Sequence, residues 1–170
     1  MSLFYPDYFY RRIYEIPTAF FQSMGIRAVL IDVDNTLTTH NNPVPHERVL
    51  EWLDCQRRAG IGLLAFSNNY EERVAPFASQ LGLGYVACAA KPLPFRLKKA
   101  LKELGLGPSQ AAVVGDQVFT DVLCARLARC TAVLVEPMEP ENRGFFVVKR
   151  RWEKRVLKHY RPQSWSGEEG

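Results

Sequence analysis

The feature that most constrains the fold is an apolar segment that runs directly into two carboxylates. The sequence AVLI at 28–31 is followed by DVDNTL at 32–37. A short apolar run that ends in polar turn residues is typical of a buried parallel strand. In open α/β sheets, ligands bind at the carboxyl ends of such strands, and unpaired carboxylates are costly to bury. The segment therefore predicts a strand that delivers Asp32 and Asp34 to a functional site.

The rest of the chain alternates strand-like and helix-like segments. Further apolar strands are predicted at 61–66, 85–89, 111–114 and 131–135, and amphipathic segments lie between them. This alternation predicts an α/β fold whose doubly wound, five-stranded, Rossmann-like parallel sheet has helices on both faces. The polar residues 38–45 predict a loop over the site. The intervals between the strands leave no room for a cap domain.

Residues 1–160 are expected to form a single domain, followed by a disordered tail at 161–170. The segment 3–16 contains six aromatic residues, and Pro6-Asp7 is a suitable helix start. We therefore expect an N-terminal aromatic helix that either covers the core or lies at a lipid interface.

A basic helix is predicted at the C-terminal end, over 145–160. Val148, Trp152 and Val156 are spaced by four on one of its faces. This stripe is expected either to pack on the sheet or to meet an anionic membrane together with the basic residues. Residues 143–170 hold eight Lys/Arg against three Glu, a net charge of about +5, so the rest of the chain is near −1 and the total is +4.

The remaining composition favours a cytoplasmic protein, with peripheral membrane contact as the open alternative. No apolar run approaches the ~18 residues of a membrane span, and the charged N-terminal segment does not resemble a signal peptide. The four cysteines form no CxxC pair. They are expected to be buried free thiols in a reducing compartment, which disfavours a metal site built from sulfur.

Polar side chains follow four of the predicted strands, and the carboxyl ends of parallel strands meet at one edge of a sheet. In chain order these residues are Asp32, Asp34, Ser67, Lys91, Asp116 and Asp121. Each alone could have a separate structural role. Their shared position at successive strand ends favours a single site.

This set of residues could hold a phosphate ester and a metal ion together. Asp32 and Asp116 supply the hard oxygen ligands that Mg²⁺ prefers. Ser67 and Lys91 can bind the phosphate oxygens. A carboxylate beside the metal can attack phosphorus, and a second one two residues away, Asp34, can transfer protons.

Four motifs in this order, DVDNTL, FSNN, AKP and GDQVFTD, resemble those of the haloacid dehalogenase-like (HAD) phosphohydrolases. The residues within these motifs are similar to those of the YqeG-type phosphatases of the third HAD subclass, which are related to phosphatidylglycerophosphate phosphatases. The resemblance extends from about Pro6 to Arg151. It implies a Mg²⁺-dependent phosphatase that forms an aspartyl-phosphate.

The resemblance also implies a role for each motif residue. Asp32 would be the nucleophile and a Mg²⁺ ligand. Asp34 would be the general acid and base, with its main-chain carbonyl on the metal. Asp116 would be a further metal ligand, and Asp121 would orient Lys91 or metal-bound water. The implied phosphate-binding residues are Thr36, which also braces its motif, Ser67, Asn68 and Lys91.

An uncapped site favours a phosphate carried on a bulky substrate. A phospholipid head group similar to phosphatidylglycerophosphate fits the basic C-terminal helix, because each basic group is worth ~1 kcal/mol near anionic lipid. Nucleotides, nucleic-acid ends and phosphoproteins are the alternatives, although the aromatic residues are not interleaved with basic ones as specific nucleic-acid binding would require. A catalytically silent phosphate- or Mg²⁺-binding module is a further alternative, and an oligomer is compatible with the sequence.

Overall fold

A six-stranded parallel sheet forms the centre of the fold in the computed structural model, which describes residues 2–39, 42–139, 144–161, 163 and 165. The strands are β1 (Tyr8–Tyr10), β2 (Ala28–Ile31), β3 (Gly62–Phe66), β4 (Gly84–Val86), β5 (Ala111–Gly115) and β6 (Thr131–Val135). Their order in the sheet is β1-β6-β5-β2-β3-β4, and all neighbouring pairs are parallel. The predicted active-site strand, β2, therefore lies in the middle of the sheet, between β5 and β3.

Helices cover both faces of the sheet, as predicted. They are α1 (Thr18–Ser23), α2 (Glu47–Arg58), α3 (Glu71–Gln80), α4 (Phe95–Glu103), α5 (Leu123–Ala128) and α6 (Gly144–Val156). Alternate residues of the fully buried strand β2 point to opposite faces. Val29 and Ile31 belong to the core cluster that includes side chains of α1, α2 and α3, whereas Leu30 belongs to the cluster with α4 and α5. The doubly wound α/β architecture is therefore confirmed.

The prediction of five strands and an N-terminal aromatic helix is wrong, because residues 8–10 form a sixth strand at the edge of the sheet. Aromatic residues have a high strand propensity, and β1 pairs with β6. The rings of its two tyrosines lie 4.8 and 5.8 Å from the Phe20 ring. Ile13 begins a short 3-10 turn, Ile13–Glu15, and Ile16 directly follows it. Both isoleucines are buried, which explains their helical spacing.

The C-terminal helix α6 is present, but it turns its apolar stripe away from the sheet. Val148 and Trp152 are 54% and 59% exposed. The interpretation that this stripe packs on the sheet is therefore wrong for these two residues. The opposite side of the helix faces the protein, where Glu153 is buried.

The limits of the domain at 1–160 and of the disordered tail at 161–170 stay predictions. Within the tail the structure describes Arg161, Gln163 and Trp165. Gln163 forms a parallel bridge with Tyr8, and the Trp165 ring lies 6.0 Å from the ring of Phe20. Gln163 therefore contacts the edge strand β1, whereas Trp165 packs on α1.

The predicted free thiols are confirmed, but their burial is confirmed for only two of them. Cys124 and Cys130 are buried, whereas Cys55 and Cys88 are exposed. Among the residues that the structure describes, no helix is both long enough and apolar enough to cross a membrane.

Candidate active site

Lys91 connects residues from three strand ends. Its Nζ donates hydrogen bonds to Asp32 Oδ1 at 2.6 Å, to Asp121 Oδ1 at 2.7 Å and to the main-chain oxygen of Phe66 at 2.9 Å. The Lys91 side chain is only 3% exposed, so these charged interactions are shielded from water. Asp32 follows β2, Phe66 ends β3, and Asp121 follows β5. The structure thus brings together residues that the sequence analysis placed at separate strand ends.

The pKa values of Asp32 and Lys91 are both raised in this environment, but for different physical reasons. Burial raises the pKa of Asp32 to about 7, although the nearby Lys91 acts in the opposite direction. Burial by itself would lower the pKa of Lys91, but the carboxylates of Asp121 and Asp32 outweigh this effect and raise it. Lys91 therefore stays cationic at neutral pH, whereas Asp32 changes its protonation there.

Asp121 reaches Lys91 because residue 115 has no side chain. Asp121 lies in a π-helical turn, Val118–Val122, and its Oδ2 accepts a hydrogen bond from Gln117 N at 3.1 Å. A Cβ atom on Gly115 would lie 2.3 Å from Asp121 Cγ, which is closer than non-bonded carbon atoms approach. Glycine is therefore required here for the observed position of Asp121.

Asp116 is a buried carboxylate with one unpartnered oxygen. Its side chain is 0% exposed, and its Oδ1 has no hydrogen-bond partner among the described residues. Burial raises the pKa of Asp116 well above its usual range, while Arg150 acts to lower it. An oxygen in this condition is a suitable ligand for a cation.

A divalent cation fits the carboxylates at this position. Asp32, Asp116 and Asp121 each offer one oxygen, and these three atoms lie within 4.8 Å of one another. Two oxygens that share one Mg²⁺ at about 2.1 Å lie at most about 4.2 Å apart, so small side-chain movements would complete such a site. The three carboxylates contact two cationic side chains, Lys91 and Arg150, which leaves one negative charge in excess when all are ionised. The predicted metal ligands were the carboxylates of Asp32 and Asp116 and the main-chain carbonyl of Asp34. The cluster contains both of these carboxylates, together with Asp121, which was predicted to orient Lys91 or metal-bound water.

The Asp34 carboxylate lies in a different, more accessible environment. Its Oδ2 accepts a hydrogen bond from Asn69 Nδ2 and its Oδ1 one from Arg73 Nη2, both at 2.6 Å. The Asp34 side chain is 18% exposed, against 11% for Asp32. The sequence analysis named neither Asn69 nor Arg73. The available signal was their position, because Asn69 ends the FSNN motif and Arg73 lies four residues later, in the first turn of α3.

Besides Lys91, the predicted phosphate-binding residues make contacts that differ from one another. Ser67 is buried, and its Oγ accepts a hydrogen bond from Asn69 N at 3.1 Å. Asn68 pairs with the main chain of Lys91, because its Oδ1 accepts from Lys91 N at 2.8 Å and its Nδ2 donates to Lys91 O at 3.1 Å. The buried Oγ1 of Thr36 has no hydrogen-bond partner within the described parts of the chain. Phosphate binding by these residues stays a prediction, whereas Asn68 clearly positions Lys91.

Three side chains of α6 contact the loop that follows β5, and the sequence analysis assigned none of them to the site. Arg150 donates hydrogen bonds to the main-chain oxygen and to Oδ2 of Asp116. Glu153 Oε1 accepts from Val118 N at 2.9 Å, and Lys149 donates to Gln117 Oε1. A basic helix face that meets solvent and one that meets a carboxylate look alike in a sequence. The only signal was Glu153, a single acid within a basic run.

Comparisons with known proteins match both the motifs and the fold. Residues 42–129 match the family model of the haloacid dehalogenase-like hydrolases. The chain is 30% identical over 156 residues to the probable phosphatase YqeG of Bacillus subtilis (strain 168), which covers 92% of this chain and 91% of that protein.

Solved structures with less than 25% identity share the fold. An uncharacterized protein from Listeria monocytogenes serotype 4b has a TM-score of 0.58 and 18% identity, covering 70% of this chain and 85% of that one. The 3-deoxy-D-manno-octulosonate 8-phosphate phosphatase of Moraxella catarrhalis, in complex with magnesium, phosphate and KDO, has a TM-score of 0.51 and 17% identity, covering 81% and 90%. Because the family model spans more than half of the chain and the YqeG relative nearly all of it, the chain belongs to the haloacid dehalogenase-like hydrolases and is related to the YqeG-type phosphatases among them.

Proposed function

We propose that the protein is a Mg²⁺-dependent phosphomonoester hydrolase that works through an aspartyl-phosphate on Asp32. The observation that carries the proposal is the contact of Lys91 Nζ with Asp32 and Asp121, at 2.6 and 2.7 Å, in a cluster with the carboxylate of Asp116. A nucleophile, a fixed cation and an available metal ligand meet there at one end of the sheet. The identity to a probable phosphatase supports the same reaction.

In the proposed first step, a carboxylate oxygen of Asp32 attacks phosphorus in line with the leaving alkoxide. The bond from phosphorus to the leaving oxygen breaks, and Asp34 donates a proton to that oxygen. Lys91 neutralises charge on the equatorial oxygens of the phosphoryl group that is transferred. The burial of Asp32 and Lys91 strengthens this electrostatic interaction, because water screens it less.

In the proposed second step, Asp34 removes a proton from a water molecule, which then attacks the phosphorus of the aspartyl-phosphate. The bond between phosphorus and the Asp32 oxygen breaks, phosphate leaves, and both carboxyl groups return to their starting states. The greater exposure of Asp34 suits this role, since the residue must exchange protons with solvent. Asn69 and Arg73 hold its carboxylate in place.

Asp32, Asp116 and the main-chain carbonyl of Asp34 are the proposed Mg²⁺ ligands. When bound, the ion supplies positive charge that reduces repulsion between the phosphate and the carboxylate nucleophile. Asp121 orients Lys91. The proposed phosphate-binding residues besides Lys91 are Thr36, Ser67 and Asn68. The magnesium and phosphate ions in the Moraxella catarrhalis structure support the choice of ion.

The test of this mechanism is the substitution Asp32→Asn in the full chain. We expect it to abolish Mg²⁺-dependent phosphate release, because the amide is not a nucleophile for phosphorus. Asp54→Asn is the matched control, since Asp54 is 54% exposed on α2 and makes only surface ion pairs. Near-normal turnover by Asp32→Asn would contradict the assignment of the nucleophile.

We further propose an uncapped site that acts on a bulky substrate such as a phospholipid head group. The connection between β2 and α2 supports this, because its described residues contain no helix or strand apart from an isolated bridge between Asp34 and Thr38. The connections from β3 to α3 and from β4 to α4 are shorter still. A panel of phosphatidylglycerophosphate, nucleotides, sugar phosphates and phosphopeptides, each with and without Mg²⁺, identifies the substrate class.

The outer face of α6 supports an anionic lipid surface as the carrier of the substrate. Val147, Val148 and Trp152 are exposed there, beside the exposed Arg151 and Arg155. Apolar and aromatic side chains bordered by arginines are typical of helices that lie in a membrane interface. β1 adds nothing to this surface, because its tyrosines pack on Phe20.

Vesicle co-sedimentation tests the lipid surface. We expect the protein to pellet with anionic vesicles and not with neutral ones, and Trp152→Ser to weaken pelleting because it removes the largest exposed apolar side chain of this face. Leu50→Ser is the control, since Leu50 is 42% exposed on another helix, α2. Equal pelleting with both kinds of vesicle would count against a lipid carrier.

A further inference from the structure

Arg150 of α6 makes two contacts with the same residue, Asp116. One guanidinium nitrogen donates to the main-chain oxygen of Asp116, and the other donates to its Oδ2. The remaining carboxylate oxygen, Oδ1, is buried and has no hydrogen-bond partner among the described residues. Asp116 is also one of the three carboxylates that cluster within 4.8 Å. Arg150 therefore engages one side of this carboxylate and leaves the other oxygen available.

Glu153 connects Arg150 to the segment that contains Asp121 through two hydrogen bonds. Its Oε2 accepts a hydrogen bond from Arg150 Nη1 at 3.0 Å, and its Oε1 accepts from Val118 N at 2.9 Å. Its side chain is 4% exposed, so the charge is buried and satisfied by these donors. Val118 begins the π-helical turn in which Asp121 lies. One turn of α6 therefore holds the first part of the loop that presents Asp116 and Asp121, at Asp116 and at Val118.

We propose that Arg150, supported by Glu153, is a positioning residue for metal binding: it fixes the Asp116 carboxylate so that Oδ1 can bind a divalent cation. The inference rests on the proposed function, which makes Asp116 a metal ligand, and adds an element to it. α6 lies beyond residues 42–129, the part of the chain that matches the family model. Carboxylates that bind metals are themselves held by hydrogen bonds, and loss of such an outer contact typically costs 10–100-fold in metal affinity.

The direction in which Mg²⁺ affinity changes when Arg150 is removed distinguishes positioning of Asp116 from repulsion between Arg150 and the ion. Arg150 carries a positive charge close to the proposed cation site, so Coulomb repulsion alone predicts that its removal would tighten Mg²⁺ binding. Positioning predicts the opposite, because a freely rotating Asp116 must be ordered when the ion binds. A loss of affinity on removal of Arg150 can therefore not come from repulsion between Arg150 and the ion.

The experiment is a calorimetric titration of the full-length protein with Mg²⁺ alone, without substrate. We expect Arg150→Met to raise the Kd for Mg²⁺ by about 10–100-fold. Arg150→Lys should have a smaller effect, because an ammonium group can still make one of the two contacts. Arg151→Met is the matched control, since Arg151 is the exposed neighbour on the same helix, and its Kd should be unchanged.

Circular dichroism verifies that each variant is folded, and Arg150→Gln replaces Arg150→Met if the latter does not fold. A folded variant whose Kd equals or falls below that of the wild type overturns the inference. A merely structural role would lower the thermal midpoint without changing the Kd. Positioning instead predicts that excess Mg²⁺ restores kcat in Arg150→Met. A wild-type protein that neither binds Mg²⁺ nor releases phosphate would contradict the proposed function itself, which is a distinguishable result.

Discussion

At the scale of single residues, the protonation of Asp32 is governed by burial. The pKa of Asp32 is raised from 3.8 to about 7, so the native state holds this proton more tightly than the unfolded chain does. For a carboxyl group shifted in this direction, the stabilising contribution is present at low pH. It is lost as the pH rises from the unfolded value toward the folded one.

The pH dependence of stability tests this assignment. In the presence of a chelator, we expect the free energy of unfolding to fall between about pH 4 and pH 7 more steeply in the wild type than in Asp32→Asn, which cannot titrate. Urea denaturation at a series of pH values measures the difference. Parallel curves for the two proteins would show that Asp32 does not have the raised pKa.

Gly115 provides a second prediction, based on close approach rather than on charge. We expect Gly115→Ala to destabilise the fold by about 1–3 kcal/mol, because the new Cβ overlaps Asp121. Phosphate release should fall as well, since Asp121 is displaced from Lys91. Gly62→Ala is the control, because a Cβ there would meet its neighbours at 3.5 Å or more. Equal urea midpoints for the two variants would contradict the overlap.

The charged residues of the site could be predicted from the sequence, but their supporting partners could not. The carboxyl ends of parallel strands meet at one edge of a sheet, and such strand ends precede Asp32, Lys91 and Asp116. Their order along the chain was therefore sufficient to predict that they lie together. Arg73 contacts Asp34, and Arg150 contacts Asp116, only because α3 and α6 pack in particular orientations. Nothing in the local sequence fixes those orientations, since exposed and site-facing arginines have the same helical spacing.

At the scale of secondary structure, the buried elements were predictable and the peripheral ones were not. β6 was predicted at its observed limits, because its apolar run is buried between two neighbours. β1 was mistaken for a helix, since its three residues show no alternation and depend on pairing with β6 for their conformation. α6 was predicted as a helix, and of the two alternatives for its apolar stripe, packing on the sheet is wrong for Val148 and Trp152. Glu153 and Arg150 instead face the protein, where they bind the loop after β5.

Asp7 should be the residue on which the attachment of β1 depends. Its Oδ2 accepts a hydrogen bond from Ala132 N at 2.9 Å, and its Oδ1 pairs with Arg126. We expect Asp7→Ala to lower the free energy of unfolding by about 1–3 kcal/mol, because the partly buried donors lose their acceptor. Asp54→Ala should cost less than about 1 kcal/mol, since its ion pairs are exposed. Equal losses in urea denaturation would contradict this difference.

At the scale of the whole molecule, the alternation of strands and helices was sufficient to predict the doubly wound sheet. It also placed the site at the carboxyl ends of the central strands. The sixth strand and the packing of α6 on the site both come from the ends of the chain. Contacts between distant segments leave no periodic signal, which is why these features were missed.

Ligand binding should stabilise the whole fold if the carboxylates hold a metal. We expect Mg²⁺ at about 100 times its Kd to add about 2.7 kcal/mol to the free energy of unfolding and to raise the thermal midpoint. The variant Asp116→Asn should show little of this increase, because it loses a proposed ligand, whereas Asp54→Asn should retain it. An equal rise for Asp116→Asn in differential scanning calorimetry would argue against Asp116 as a ligand.

The pairing of β1 with β6 also sets an order of events during synthesis. Tyr8 lies beside Val133, so 125 positions of sequence separate the two partners. At about 5–20 residues per second, the ribosome would leave β1 without its neighbour for roughly 6–25 s. During that interval the aromatic residues of β1 and the Phe20 ring they later cover are open to chaperones and to other nascent chains. The N-terminal edge of this protein can therefore close only after its final strand has been translated.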